Sequence, residues 1–208
     1  MRRYENRLHP LELALLLALA LTAIWGAWSL QRQDRLEQRM IRLHVIANSD
    51  GEADQALKLQ VRDRVLTLAE DILSRADSRE EAMARLEQSL PAVEDAAARE
   101  IALRGYDYAV TARLEMAEFP HKTYDGFALP AGEYTALRVV IGEGRGQNWW
   151  CVVFPPLCTT AATDRGETAI AAGWGQDDLD LVTEADRGCV LKFRSVELWE
   201  TIRRWLGK

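Results

Sequence analysis

The chain has 208 residues, a formal net charge of −6 and 48% hydrophobic side chains. That composition fits one globular domain plus an additional apolar segment, and it excludes a low-complexity or disordered polymer. The basic side chains are scattered along the sequence, which excludes the concentrated positive footprint of a nucleic-acid binder.

Residues 1–10 read as a short tail carrying Arg2, Arg3 and Arg7. Leu11 to Leu30 follows, with Glu12 as its one charged side chain. An apolar run of about 20 residues is long enough to cross a bilayer as a helix. It is longer than the roughly 7 to 15 residues of a signal-peptide core. Trp25 and Trp28 stand at its outer end, as interfacial aromatic residues do. Trp25 also spoils the small-x-small pattern that cleavage before Trp28 would need. The segment therefore reads as an anchor in preference to a cleaved signal, with the tail inside and the bulk of the chain outside. Residues 31–40 read as a polar stalk and 41–208 as the extracytoplasmic domain.

Ile41 to Ala47 (IRLHVIA) predicts a strand, with Ile41, Leu43 and Val45 on one face and Arg42, His44 and Ile46 on the other. Ser49 and Glu52 form a capping-box pattern that predicts a helix starting near Asp50. Leu57, Val61, Val65, Leu68 and Ile72 line its buried face. Ser78 and Glu81 repeat the pattern and predict a second helix, interrupted at Pro91 and resuming to Arg104, with Gly105 as its left-handed cap. Tyr106 to Met116 alternates with period two and predicts a half-buried strand. Glu133 to Ile141 predicts another. Trp149 to Phe154 is apolar on both faces and predicts a central strand, ended by Pro155-Pro156. Residues 159–188 hold seven acidic and two basic side chains with little periodicity, as a mobile insertion would. Cys189 to Arg194 predicts a last strand and Ser195 onwards a last helix. The expected fold is α+β: a single two-layer domain with a mixed or antiparallel sheet, helices on one face, and an N-terminal transmembrane helix or signal segment in front.

The stretch GEGRGQNWWC (Gly142 to Cys151) resembles a phosphate-binding loop only at first glance. Such a loop leads into Lys-Ser or Lys-Thr at a helix start, where amides and the helix dipole hold phosphate. Here the glycines lead into Asn148 and a strand, so a hairpin connection is predicted instead. The best catalytic pairing would set Cys151 or Cys158 as nucleophile beside His44 or His121 as base, and no local Cys–His signature supports it. The cysteines lack metal-ligand spacing. No metal, cofactor, nucleotide or nucleic-acid partner is expected.

The strings IRLHVIANSDGEADQALKLQVRDRVL (Ile41 to Leu66), FPHKTYDGFALPAGEYTALRVVIGEGRGQNWWCVVFPPLC (Phe119 to Cys158) and VLKFRSVELWE (Val190 to Glu200) resemble the stage II sporulation protein R family of endospore-forming bacteria. The resemblance implies a signal made in the forespore and exported into the space between forespore and mother cell. There it would trigger a membrane-embedded aspartic protease of the mother cell to process a sigma-factor precursor, by protein–protein contact and without catalysis of its own. An exported hydrolase with Cys or Asp chemistry, or a structural protein of the septal envelope, are the alternatives. The place of the family-like first string makes His44, Asn48, Ser49, Asp50, Asp54, Gln55, Lys58 and Arg62 the candidate partner-binding set. The competing reading of the same residues is a helix cap plus a solvated, salt-bridged face. Cys151 and Cys158 share the string NWWCVVFPPLC and are the candidate disulfide of an exported domain, with buried free thiols as the alternative.

Overall fold

The computed structural model describes residues 10–124 and 127–157, together with positions 169, 170, 174, 175, 179 and 182. Helix α1 (Pro10–Glu37) opens with proline at its first position, where the missing N–H is no loss. Over Pro10–Trp28 its mean hydropathy is 1.9, and none of that stretch is buried in protein. By length and composition it can cross a membrane. An apolar helix left uncovered on every side suits lipid, since a soluble helix hides its apolar face. The helix continues through the polar stretch expected to be a stalk and ends at Glu37. A separate compact unit begins at Leu36.

That unit is built on a four-stranded sheet in the order β2-β5-β1-β6. Strand β1 (Ile41–Ile46) runs parallel to β5 (Gly132–Ile141) and antiparallel to β6 (Asn148–Phe154), while β2 (Val110–Phe119) pairs antiparallel with β5. Helices α2 (Glu52–Leu73) and α3 (Arg79–Leu103) cover one face. Their Leu57, Val61, Val65, Leu86, Val93 and Ile101 pack on Ile41, Leu43, Val45, Leu137 and Val139. Each such side chain, fully buried, contributes about 1.5–3 kcal/mol. The opposite face carries a two-stranded ribbon, β3 (Lys122–Tyr124) with β4 (Phe127–Leu129). There Phe119, Phe127, Leu129, Tyr134 and Val152 form a second core with Leu157, Ala169, Trp174 and Val182. With both faces covered and a strand on either side, all six residues of β1 are buried. The α+β architecture with helices on one face is as expected.

Several details differ from the sequence reading. Helix α2 begins at Glu52 with Gly51 as its cap and without a side-chain cap bond; the Ser49 hydroxyl accepts from the Gly51 N–H at 3.2 Å, ahead of the helix, and donates to Asp54 at 2.6 Å. Pro91 does not interrupt α3. It removes one helical hydrogen bond, but apolar residues on both sides of it, Leu86 and Val93, are anchored in the same core. Ser78 does cap α3, accepting from the Glu81 N–H at 3.2 Å. Gly105 ends it with φ +82°, and the Gly105 and Tyr106 amides donate to the carbonyls of Ala102 and Ile101, the Schellman arrangement. The following strand starts only at Val110, because Tyr106 and Tyr108 stack on each other at 5.4 Å and cover the helix-side core. Strand β6 is apolar on both faces, and both faces of the sheet are covered there. The glycine stretch is not a hairpin, since β1 lies between β5 and β6. The last predicted strand and helix, and most of 159–188, lie outside the described residues; Ala169, Trp174 and Val182 within it are buried.

Candidate functional site

Residues 142–147 cross over the carboxyl end of β1 to reach β6, and the turn from β1 into α2 lies beneath them. Backbone bonds join the two. The Gly146 N–H donates to the Ala47 carbonyl at 2.9 Å and the Arg145 N–H to the Asn48 carbonyl at 3.1 Å. Asn48 then bridges with its side chain. Its Oδ1 accepts from the Glu143 N–H at 3.0 Å, and its Nδ2 donates to Asp54 Oδ2 at 2.8 Å. The glycines are required here for closeness. A Cβ at Gly142 would strike the Asn48 amide, and one at Gly146 would strike the Ser49 carbonyl. Gly142 also sits at φ +57°, a conformation costly for other residues.

Asp54, on the first turn of α2, is 7% exposed. Its Oδ2 accepts from the Ser49 hydroxyl at 2.6 Å as well as from Asn48, and the Tyr108 side chain stands near the same carboxylate. The Ser49 and Asn48 bonds hold the carboxyl below its ordinary value, since hydrogen bonds to the charged form favour it. One turn on, Lys58 is 5% exposed. Its ammonium donates to Gln55 Oε1 at 2.6 Å and to the Gln147 carbonyl at 3.0 Å. Burial pushes its pKa down. Gln55 in turn donates to the Ser49 carbonyl at 2.8 Å.

Asn48, Ser49, Asp54, Gln55 and Lys58 are thus brought together, turned inward as a clamp that fixes the glycine crossover to α2. Asp50 is exposed beside it. Arg62 lies 4.8 Å over the Trp149 ring and pairs with Asp63 at 2.6 Å, which leaves an aromatic–cation step at the edge of the cluster. Tyr108 and Gln147 belong to the clamp although the sequence reading passed over both. Tyr108 was legible only as a strand residue, and Gln147 acts through its backbone, which no side-chain pattern reveals.

His44 stands apart from this group, on the other face of the sheet. Its ring stacks on Trp150 at 5.9 Å and meets Phe119 edge-on at 5.8 Å. Burial holds the imidazole below its ordinary pKa, the Asn148 side chain acting the other way. Arg42, two residues earlier, is fully buried. Its guanidinium lies 4.0 Å from the Phe119 ring centre and 4.8 Å from that of Tyr134, and Nη2 donates to the Tyr124 hydroxyl at 2.6 Å. Its Nε and Nη1 find no acceptor among the described residues. Ring contact worth about 2 kcal/mol is set against a desolvation cost of several kcal/mol. Arg42→Met is therefore expected to stay within about 1 kcal/mol of the parent stability or rise above it, while Arg42→Ala loses about 3 kcal/mol to a cavity. Urea unfolding of both variants checks this. Equal losses in the two would mean that the guanidinium contacts outweigh the cost of burying it.

Cys151 is disulfide-bonded and buried among helix-side core residues. Its partner, Cys158 or Cys189, lies outside the described residues. The bond occupies the Cys151 thiol, and Cys151 and His44 belong to opposite faces of the sheet.

The stage II sporulation protein R family matches residues 37–164, the stretch that runs from β1 through both helices, the clamp and the whole sheet. The chain belongs to the stage II sporulation protein R family. It is similar to the stage II sporulation protein R of Bacillus subtilis (strain 168), with 37% identity over 123 residues. That similarity covers 59% of this chain and 55% of the relative, so the chain spans about half the length of the protein it matches. No solved structure matches. Within the family match, Asn48 and the glycine crossover lie far apart in sequence and meet in space, which makes the clamp a property of the family-matching domain.

Proposed function

We propose that this chain is an exported sporulation signal that acts by protein–protein contact. It would be made in the forespore and held by α1 with its folded unit in the space between forespore and mother cell. There it triggers a membrane-embedded aspartic protease of the mother cell, which processes a sigma-factor precursor. Family membership over residues 37–164 carries this reading. The uncovered apolar helix of Pro10–Trp28 agrees with export or anchoring. The hydrolase alternative has less support, because the Cys151 sulfur is taken up in a disulfide and Asp54 is buried with its Oδ2 held by Asn48 and Ser49 of its own fold.

The contact surface would centre on the exposed Asp50 and the Glu143–Arg145 pair of the crossover, bordered by the half-buried Arg62 and Trp149. Asn48, Ser49, Asp54, Gln55 and Lys58 would shape that surface from beneath, and His44 would take no part in it. Co-expression of the chain, the protease and the precursor in a bacterium that does not sporulate tests the proposal. Shortening of the precursor is expected only when the chain is present. Shortening that proceeds equally without it would overturn the proposal.

A further inference from the structure

The outer edge of β2 has no role in the clamp. Pairing of β2 with β5 is unbroken from Val110↔Ile141 to Phe119↔Gly132. Backbone amides along such a strand point alternately towards the partner and away from it. The Ala112 N–H donates to Glu94 Oε1 of α3 at 2.8 Å, so it points away from β5, and by alternation so do the amides of Leu114, Met116 and Glu118. Glu94 closes one end of the edge. Among the described residues nothing accepts from the other three amides. Proteins blunt such edges with proline, lysine, a bulge or a covering element. Leu114 to Glu118 (LEMAE) has no proline or lysine and no break in register, and Met116 is 56% exposed.

The side chains indicate what would fit. Arg113 lies directly opposite Arg138, and like charges so placed destabilise a sheet. Glu115 relieves Arg138, accepting from its Nη1 at 2.8 Å. Arg113 is exposed and makes no ion pair among the described residues. We infer that Arg113 to Glu118 is a strand-addition site for an extended segment of a partner protein that carries one acidic side chain. The segment would join the four-stranded sheet as a new edge strand, with a carboxylate opposite Arg113 and an apolar side chain opposite Met116. A second copy of the chain fits less well. Symmetric pairing about Met116 would set Arg113 opposite Phe119, and symmetric pairing about Leu114 would need the Ala112 amide that Glu94 already holds.

The inference rests on the signalling reading for the identity of the partner. Its test uses the full-length chain co-expressed with the protease and the precursor, with a photo-crosslinking amino acid in place of Met116 and, as a control, in place of the exposed Arg99 on α3. An adduct with the protease from position 116 and none from position 99 is expected. Arg113→Glu should lower both adduct yield and precursor shortening about tenfold, the size of effect expected for a lost charge pair at an interface. Met116→Pro, which removes an outward amide and leaves the β5 ladder intact, should do the same. If Met116→Pro fails to accumulate, Arg113→Glu decides, because its side chain is exposed. Unchanged adduct yield and shortening in Arg113→Glu would overturn the inference while leaving the signalling role in place. An adduct of the chain with itself from position 116 would also overturn it, in favour of self-association. Precursor shortening without the chain would count against the signalling role alone, because the adduct reports on the edge independently.

Discussion

Asp54→Ala is expected to lower the unfolding free energy by about 3 kcal/mol, because it strands buried donors that share one carboxylate. Ser49 and Asn48 both donate to Asp54 Oδ2, at 2.6 and 2.8 Å. In a domain of this size the loss corresponds to a fall in Tm of about 10 °C. Asp54→Asn keeps the volume but turns a donor towards donors, and about 2 kcal/mol is expected. The effect carries a pH signature. The folded-state pKa of Asp54 is depressed below the ordinary aspartate value of the unfolded chain, chiefly by the Ser49 and Asn48 hydrogen bonds. The carboxylate's contribution is therefore complete above that unfolded value and is lost as pH falls through the lower, folded one. The parent protein should lose stability on acidification below about pH 4 more steeply than Asp54→Ala does. Urea unfolding of the full chain across that range, followed by tryptophan fluorescence, measures both effects. Parallel pH profiles for the two proteins would show that the carboxylate is not held as described.

Gly146→Ala is expected to cost about 3 kcal/mol through steric overlap and loss of backbone bonds. Its new Cβ would overlap the Ser49 carbonyl, with the Ala47 side chain also in the way. Backbone cannot rotate aside as a long side chain can. The crossover would lift, breaking Gly146 to Ala47 and Arg145 to Asn48 and drawing the Gln147 carbonyl away from Lys58. Gly105→Ala is the control. Nothing lies within 4 Å of a Cβ there and φ is +82°, so only the conformational term of about 1–2 kcal/mol applies. Unfolding midpoints of the two variants separate close approach from backbone strain. A Gly146→Ala protein as stable as Gly105→Ala would show that the crossover is not pressed onto the β1–α2 turn.

Much of the fold was legible because local chemistry determines it. The alternation of Ile41 to Ile46, the Ser78 cap and the left-handed Gly105 are short-range signals, and each appears where the sequence places it. The misread features depend on contacts between distant residues. Glycine and asparagine at 142–148 announce a turn, but no turn residue records which strand its own strand will pair with. A crossover over β1 and a hairpin therefore look alike in sequence. Asp54 and Lys58, four residues apart, look like a solvated ion pair on a helix surface. The structure buries both, because the crossover, some ninety residues later, packs onto that turn of α2 and supplies the Gln147 carbonyl. Arg42 was assigned correctly to the face opposite Ile41, but its burial follows from Phe119, Tyr124 and Tyr134 converging on it.

Physical association is the core of the proposed role, and co-purification measures it most directly. Full-length chain and protease would be made together, extracted in mild detergent, and the complex captured through a tag on the chain. The protease is expected to be retained with the chain, and the Arg113→Glu chain to retain about tenfold less of it. Chain-dependent shortening of the precursor with no retained protease, even after cross-linking before extraction, would contradict it.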